Sequence, residues 1–143
     1  MLSPTHRFLL ADDDHEVRLG VADLLSGLGL EVLQAEDGHQ AVEIGRVERI
    51  DGALFDVHMP GVTGMEAVSI LRAERADLPC LVYSGRWSPH LEQAALELGV
   101  CACLKKPVDP AQLRHEVLRA LGLATDQPGR PDLPDRPDRN RWN

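Results

Sequence analysis

The sequence contains no apolar run long enough to cross a bilayer, and its N-terminus lacks the apolar region and small-residue cleavage site of a signal peptide. Cysteine is also scarce. The odd count of three, Cys80, Cys101 and Cys103, does not suit a disulfide framework. We therefore expect a cytoplasmic protein with free thiols and no membrane partner.

Clustered basic residues are missing as well. The formal net charge of the 143 residues is −8, and no Lys/Arg cluster occurs in the first 124 residues. A domain that binds nucleic acid normally presents a basic face to the phosphate backbone. The charge therefore argues against a nucleic-acid partner for the folded part of the chain.

Short apolar segments alternate with stretches in which apolar residues recur at helical spacing. Strands are predicted at residues 7–11, 31–35, 52–55, 80–83 and 101–105, and helices from the first acidic triplet to Gly29 and at 38–48, 64–75, 89–98 and 110–121. This alternation predicts an α/β fold of five βα units, a (βα)5 doubly wound parallel sheet with helices on both faces.

The C-terminal residues 125–143 differ in composition from the rest of the chain. Proline occupies every third position from Pro128 to Pro137, and apolar residues are almost absent. The composition predicts an extended, solvated, disordered tail, with a PxxP-type ligand as the alternative. The folded domain is predicted to span residues 5–122.

Polar residues suited to phosphoryl chemistry follow the predicted strands. They are Asp12, Asp13 and Asp14 after the first strand, Asp56 after the third, Ser84 after the fourth and Lys106 at the fifth. Because the carboxyl ends of parallel strands line one edge of a sheet, we expect these groups to converge. Carboxylates there can hold Mg²⁺, and Asp56 can attack phosphorus while a lysine and a hydroxyl bind the transferred oxygens.

Four segments, LLADDDHEVR, LFDVHMPGVTGME, LVYSGR and CLKKPVD, closely resemble in order and separation the receiver domain of two-component response regulators. The resemblance covers roughly residues 5–122 and implies the flavodoxin-like strand order 2-1-3-4-5. It implies that Asp56 is the phosphoacceptor, with Ser84 and Lys106 acting on the phosphoryl group.

The resemblance also implies a metal site for Mg²⁺, with Mn²⁺ as an alternative. Asp13 and Asp56 would be direct ligands, Asp12 would act largely through water, and His58 would contribute its backbone carbonyl. The phosphoryl donor would be a histidine kinase or a histidine phosphotransfer protein. The protein would not be an enzyme acting on external substrates. With no output domain, it would signal by binding an unknown protein target. The face formed by the fourth and fifth helices could bind that partner or form a homodimer.

Two departures from the family pattern concern the switch and the lifetime of the phosphoryl group. Cys103 stands on the fifth strand where most receivers carry Tyr or Phe, so the usual aromatic switch cannot operate. Arg86 and His58 lie two residues after Ser84 and Asp56, at positions that tune acyl phosphate hydrolysis in this family.

Simpler roles are expected for some neighbours of these residues. Asp14 is expected to cap the first helix, and Lys105 to point away from the site into solvent. Packing is preferred over a redox or zinc pair for Cys101 and Cys103, because no further Cys or His cluster completes such a site.

Two other function classes stay open. In an Asp-nucleophile phosphohydrolase, Asp12 and Asp14 would form the D-x-D motif, although the further acidic pair and the cap of such enzymes are not evident. In a pseudo-receiver scaffold no phosphate would be turned over, although Asp13, Asp56, Ser84 and Lys106 are all retained.

Overall fold

A computed structural model describes residues 5–123, in which five parallel strands form one sheet in the order β2-β1-β3-β4-β5. The elements are β1 Arg7–Ala11, α1 His15–Ser26, β2 Glu31–Ala35, α2 Gly38–Val47, β3 Gly52–Asp56, α3 Gly64–Glu74, β4 Cys80–Ser84, α4 Pro89–Glu97, β5 Ala102–Lys105 and α5 Pro110–Ala120. The predicted α/β fold and its strand order are confirmed. The predicted tail, residues 125–143, lies outside the described residues.

The sheet is buried on both faces because side chains alternate along each strand. On β1, Phe8 and Leu10 pack into an apolar cluster with α1 and α5. Leu9 and Ala11 pack into a second cluster with α2, α3 and α4 on the opposite face. This two-sided burial explains why the strands read as nearly continuous apolar runs in the sequence.

Two central strands extend one residue beyond their apolar segments. β3 ends at Asp56 and β4 at Ser84, whereas the sequence pattern placed both residues just after a strand. Asp56 pairs in register with Tyr83 on the neighbouring strand. The backbone of both polar residues is therefore fixed by the sheet, which limits how far their side chains can move.

Each helix within residues 5–123 begins at a side-chain cap, and the caps are Asp14, Asp37, Thr63, Ser88 and Asp109. The predicted cap at Asp14 is confirmed, since its Oδ1 accepts a hydrogen bond of 3.1 Å from the Val17 amide. A cap of this kind typically contributes about 1 kcal/mol to stability. None of the helices in this range combines the length and apolar character needed to span a membrane.

Candidate functional site

The carboxyl ends of β1, β3, β4 and β5 bring the predicted site residues together. Asp12 directly follows β1, Asp56 ends the adjacent β3, and Ser84 ends β4. Lys106 follows β5, and its amide donates a hydrogen bond of 2.9 Å to the carbonyl oxygen of Ser84. Residues up to 94 positions apart in the sequence thus share one edge of the sheet.

Three carboxylates form the acidic part of this edge. One oxygen from each of Asp12, Asp13 and Asp56 lies within 4.8 Å of the others. Asp12 and Asp56 are buried, whereas Asp13 is exposed and so reaches solvent. Clustered carboxylates of this kind suit a hard divalent cation, because oxygen is the donor that Mg²⁺ prefers. The donor set therefore fits the predicted metal site.

The buried position of Asp56 changes its acidity. Burial, followed by repulsion from the Asp12 carboxylate, raises the pKa of Asp56 to about 6. The Lys106 ammonium and the His58 amide only partly offset this increase. A bound divalent cation would favour the ionised carboxylate, which is the form that can act as a nucleophile.

Lys106 lies between the two buried carboxylates. Its Nζ is 3.0 Å from Oδ2 of Asp12 and 3.3 Å from Oδ1 of Asp56. Burial opposes the charge on this ammonium, but the hydrogen bonds and charges of Asp12 and Asp56 outweigh it and raise the pKa of Lys106. The side chain is therefore a fixed cation beside the proposed nucleophile.

Asp12 is held by several donors. Its Oδ1 accepts the Asp14 amide at 2.8 Å, and its Oδ2 accepts the hydroxyl of Tyr83 as well as the Lys106 ammonium. The Arg18 guanidinium donates to the backbone carbonyl of Asp12 at 2.9 Å. Asp12 is consequently fixed by contacts to both of its carboxylate oxygens.

The hydroxyl of Ser84 is buried and faces the loop that leads into α4. Its Oγ accepts a hydrogen bond of 2.9 Å from the Arg86 amide. The Arg86 side chain is exposed, as is that of His58, whose amide lies 3.3 Å from Oδ1 of Asp56. Lys105, at the end of β5, is also exposed. The predicted positions of these residues agree with the structure, whereas their chemical roles stay predictions.

An aromatic side chain does contact β5 at the residue after Cys103, although it comes from a different element. The indole Nε1 of Trp87, in the β4–α4 loop, donates a hydrogen bond of 2.7 Å to the carbonyl oxygen of Leu104. Trp87 and Cys103 both pack against the cluster shared with α4. Burial raises the pKa of the Cys103 thiol to about 11, which makes it a poor nucleophile at neutral pH.

Sequence reasoning did not identify Arg18, Tyr83 or Trp87 as neighbours of the site. For Tyr83 a signal was available, since a tyrosine inside a fully buried strand normally needs a hydrogen-bond partner for its hydroxyl. Its position directly before Ser84 would have placed that partner near the strand ends.

Comparisons with known proteins identify the class to which this fold and site belong. The family model described as the response regulator receiver domain matches residues 8–118. Among solved structures, the chemotaxis protein CheY4 of Vibrio cholerae has a TM-score of 0.77 and 30% identity, covering 82% of this chain and 99% of that chain. A CheY-like receiver domain protein from Methanospirillum hungatei has a TM-score of 0.80 and 25% identity, covering 83% and 95%.

Curated relatives agree with the structural neighbours. The response regulator MprA of Mycobacterium sp. (strain KMS) is 36% identical over 128 residues, which cover 90% of this chain and 55% of MprA. The sensor protein GacS of Pseudomonas syringae is 34% identical over 127 residues, covering 85% of this chain and 14% of GacS. The chain belongs to the response regulator receiver family, and it spans little more than half of MprA and a small part of GacS.

Proposed function

We propose that this receiver domain accepts a phosphoryl group on Asp56 from a phosphohistidine of a histidine kinase or histidine phosphotransfer protein. In this step an Asp56 oxygen forms the bond to phosphorus as the phosphorus–nitrogen bond breaks, and the imidazole nitrogen leaves with the electron pair. The observation that carries the proposal is the position of Lys106, whose Nζ is 3.3 Å from the Asp56 carboxylate.

Each residue of the site has its own role in the proposed phosphoryl transfer. The backbone of β3 holds Asp56 in place, and Lys106 supplies a positive charge for one developing phosphoryl oxygen. Ser84 can donate its hydroxyl proton to another phosphoryl oxygen, because its bond with the Arg86 amide uses Oγ only as an acceptor. Asp13 and Asp56, with the His58 carbonyl, would hold Mg²⁺ or Mn²⁺, while Asp12 would act through water. A bound divalent ion would neutralise charge on the phosphoryl oxygens.

The proposal also covers what the protein turns over, where it is located and which protein supplies the phosphoryl group. The protein would turn over only its own acyl phosphate and would transmit the change to a protein partner. A cytoplasmic location belongs to the same proposal and is supported by the three free thiols, Cys80, Cys101 and Cys103. Relatives that are sensor proteins or response regulators favour a histidine kinase as the source of the phosphoryl group.

The test is incubation with Mg²⁺ and a small acyl or amido phosphate, followed by intact mass spectrometry. We expect one added phosphoryl group, lost when Asp56→Asn replaces the nucleophile and when EDTA removes the metal. Steady release of phosphate from external monoesters would instead favour the phosphohydrolase class. No reaction with any donor, including a phosphorylated histidine kinase, would favour the pseudo-receiver class.

A further inference from the structure

Tyr83 occupies a position inside the site that the proposed function does not use. Its side chain is fully buried, and its hydroxyl donates to Oδ2 of Asp12. Its ring lies beneath the Lys106 ammonium, with Nζ 4.6 Å from the ring centroid. Because side chains alternate along β4, Tyr83 points into the α1 and α5 face while Ser84 points to the other.

The hydroxyl of Tyr83 can only be the donor in this contact. Oδ2 of Asp12 accepts, so the O–H of the phenol is directed at Asp12. Burial, together with the hydrogen bond to Asp12, raises the pKa of Tyr83 well above its ordinary value. The phenol therefore donates to Asp12 in the folded protein.

The donors to Asp12 differ in how they depend on Asp56. Lys106 is shared, since the same Nζ contacts both carboxylates. Tyr83 and the Asp14 amide contact Asp12 without touching Asp56 among the described hydrogen bonds. A phosphoryl group on Asp56 would add negative charge there and draw Lys106 away from Asp12. Asp12 is fully buried, and a buried carboxylate that loses its partners is costly.

We propose that Tyr83 is a positioning residue that holds Asp12 through its hydroxyl and so frees Lys106 to move onto the phosphoryl group. The inference rests on the proposed function, because it assigns Lys106 to that group. Without the hydroxyl, Asp12 would retain Lys106 more strongly, and the ammonium would be less available during transfer.

The first test compares Tyr83→Phe with the parent protein. The variant keeps the ring, its packing and its contact with the ammonium, and removes only the donor. We expect the phosphorylation rate at saturating Mg²⁺ and acyl phosphate to fall about tenfold, the size typical for losing an outer partner of a charged site. Mg²⁺ affinity, measured by calorimetry, should be equal to or tighter than in the parent, because the Asp12 charge is less neutralised.

A matched control separates this effect from lost stability. Leu81→Val shortens a buried side chain on the same strand and the same face as Tyr83. Leu81 pairs in register with Leu54, two residues before Asp56. The phosphorylation rate of Leu81→Val should equal that of the parent. An unchanged rate in Tyr83→Phe, or a loss of Mg²⁺ affinity that accounts for the slower rate, would overturn the inference.

A second measurement does not need phosphorylation. Tyr83 and Lys106 both contact Oδ2 of Asp12, so each single variant leaves this oxygen one of the two donors. The double variant Tyr83→Phe with Lys106→Met leaves it neither. Its unfolding free energy should therefore fall by more than the sum of the decreases in the two single variants. Decreases in unfolding free energy that simply add would contradict the inference that Tyr83 and Lys106 together hold Asp12. A parent protein that takes up no phosphoryl group would contradict the proposed function. The comparison of single and double variants would still test the contact of Tyr83 with Asp12.

The parent protein offers a further check should a variant fail to fold. Tyr83 is the only tyrosine of the chain, so ring-labelled tyrosine marks a single hydroxyl for NMR. We expect its hydroxyl proton to be protected from exchange both before and after phosphorylation. Loss of that protection on phosphorylation would show that Tyr83 releases Asp12 and would overturn the inference.

Discussion

Gly64 lies directly against the backbone of Asp56. A Cβ added to this glycine would fall 2.1 Å from the Asp56 carbonyl oxygen, and the Gly64 amide donates to the carbonyl of Val57 at 3.1 Å. The start of α3 is therefore in contact with the chain that carries the proposed nucleophile. Any side chain at residue 64 would push the two segments apart.

The first prediction follows from this contact. Gly64→Ala should lower the unfolding free energy by about 2 kcal/mol, within the range for overpacking, and should slow phosphorylation because Asp56 moves. Gly20→Ala is the control, since a Cβ there meets nothing within 4 Å and alanine favours the helix. Urea denaturation checks both variants. A Gly64→Ala protein as stable as Gly20→Ala would contradict the assigned contact.

The acidic triplet provides a second, matched pair of variants. Asp13→Ala should lower Mg²⁺ affinity by at least about tenfold and slightly raise metal-free stability, because it removes one of three repelling carboxylates. Asp14→Ala should retain Mg²⁺ affinity and lose about 1 kcal/mol, because Asp14 caps α1. Calorimetric titration and denaturation measure the two effects. Equal Mg²⁺ affinity in Asp13→Ala and the parent would exclude Asp13 as a ligand.

The third prediction concerns pH. The pKa of Asp56 is about 6 in the folded protein, whereas an unfolded aspartate titrates near 3.9. Between these values the folded state binds more protons than the unfolded state, so the Asp56 contribution to stability is lost as pH rises from about 4 to about 6. We expect the unfolding free energy of the parent to fall relative to Asp56→Asn by on the order of 1–2 kcal/mol across this window.

The measurement is a series of urea denaturations of both proteins in EDTA between pH 4 and pH 7. The variant is the reference because asparagine does not titrate, while all other groups are shared. A difference between the two proteins that stays constant with pH would rule out the raised pKa of Asp56.

The lifetime of the phosphoryl group is the subject of the fourth prediction. The exposed Arg86 guanidinium can donate to phosphoryl oxygens and occupy the path of an attacking water. Arg86→Ala should speed dephosphorylation by about tenfold, which corresponds to a barrier about 1.4 kcal/mol lower. Stability should change little, since the contact with Ser84 uses the backbone amide and is retained by alanine.

Arg114→Ala, at an exposed arginine on α5, controls for the loss of a positive charge. Phosphate release is followed with no kinase or phosphatase present. A rate for Arg86→Ala that is equal to or slower than that of the parent would exclude the protective role.

Local sequence patterns determined the elements of this fold. Strand alternation, helical spacing and the cap at Asp14 depend on residues a few positions apart, so the (βα)5 arrangement could be predicted from the chain itself. The sequence pattern ends β3 and β4 one residue early, because Asp56 and Ser84 are polar and interrupt the apolar pattern, whereas their backbones continue the strand. The strand order came from the family resemblance rather than from spacing.

The sequence also determined which groups would meet at the strand ends, since a parallel sheet aligns its carboxyl ends whatever the side chains are. The tertiary structure alone decided how these groups contact one another. The hold of Tyr83 on Asp12, the shared Lys106 and the Trp87 contact with Leu104 join residues on different strands and loops. They depend on strand order, register and burial, which are properties of the packed molecule and not of any short segment.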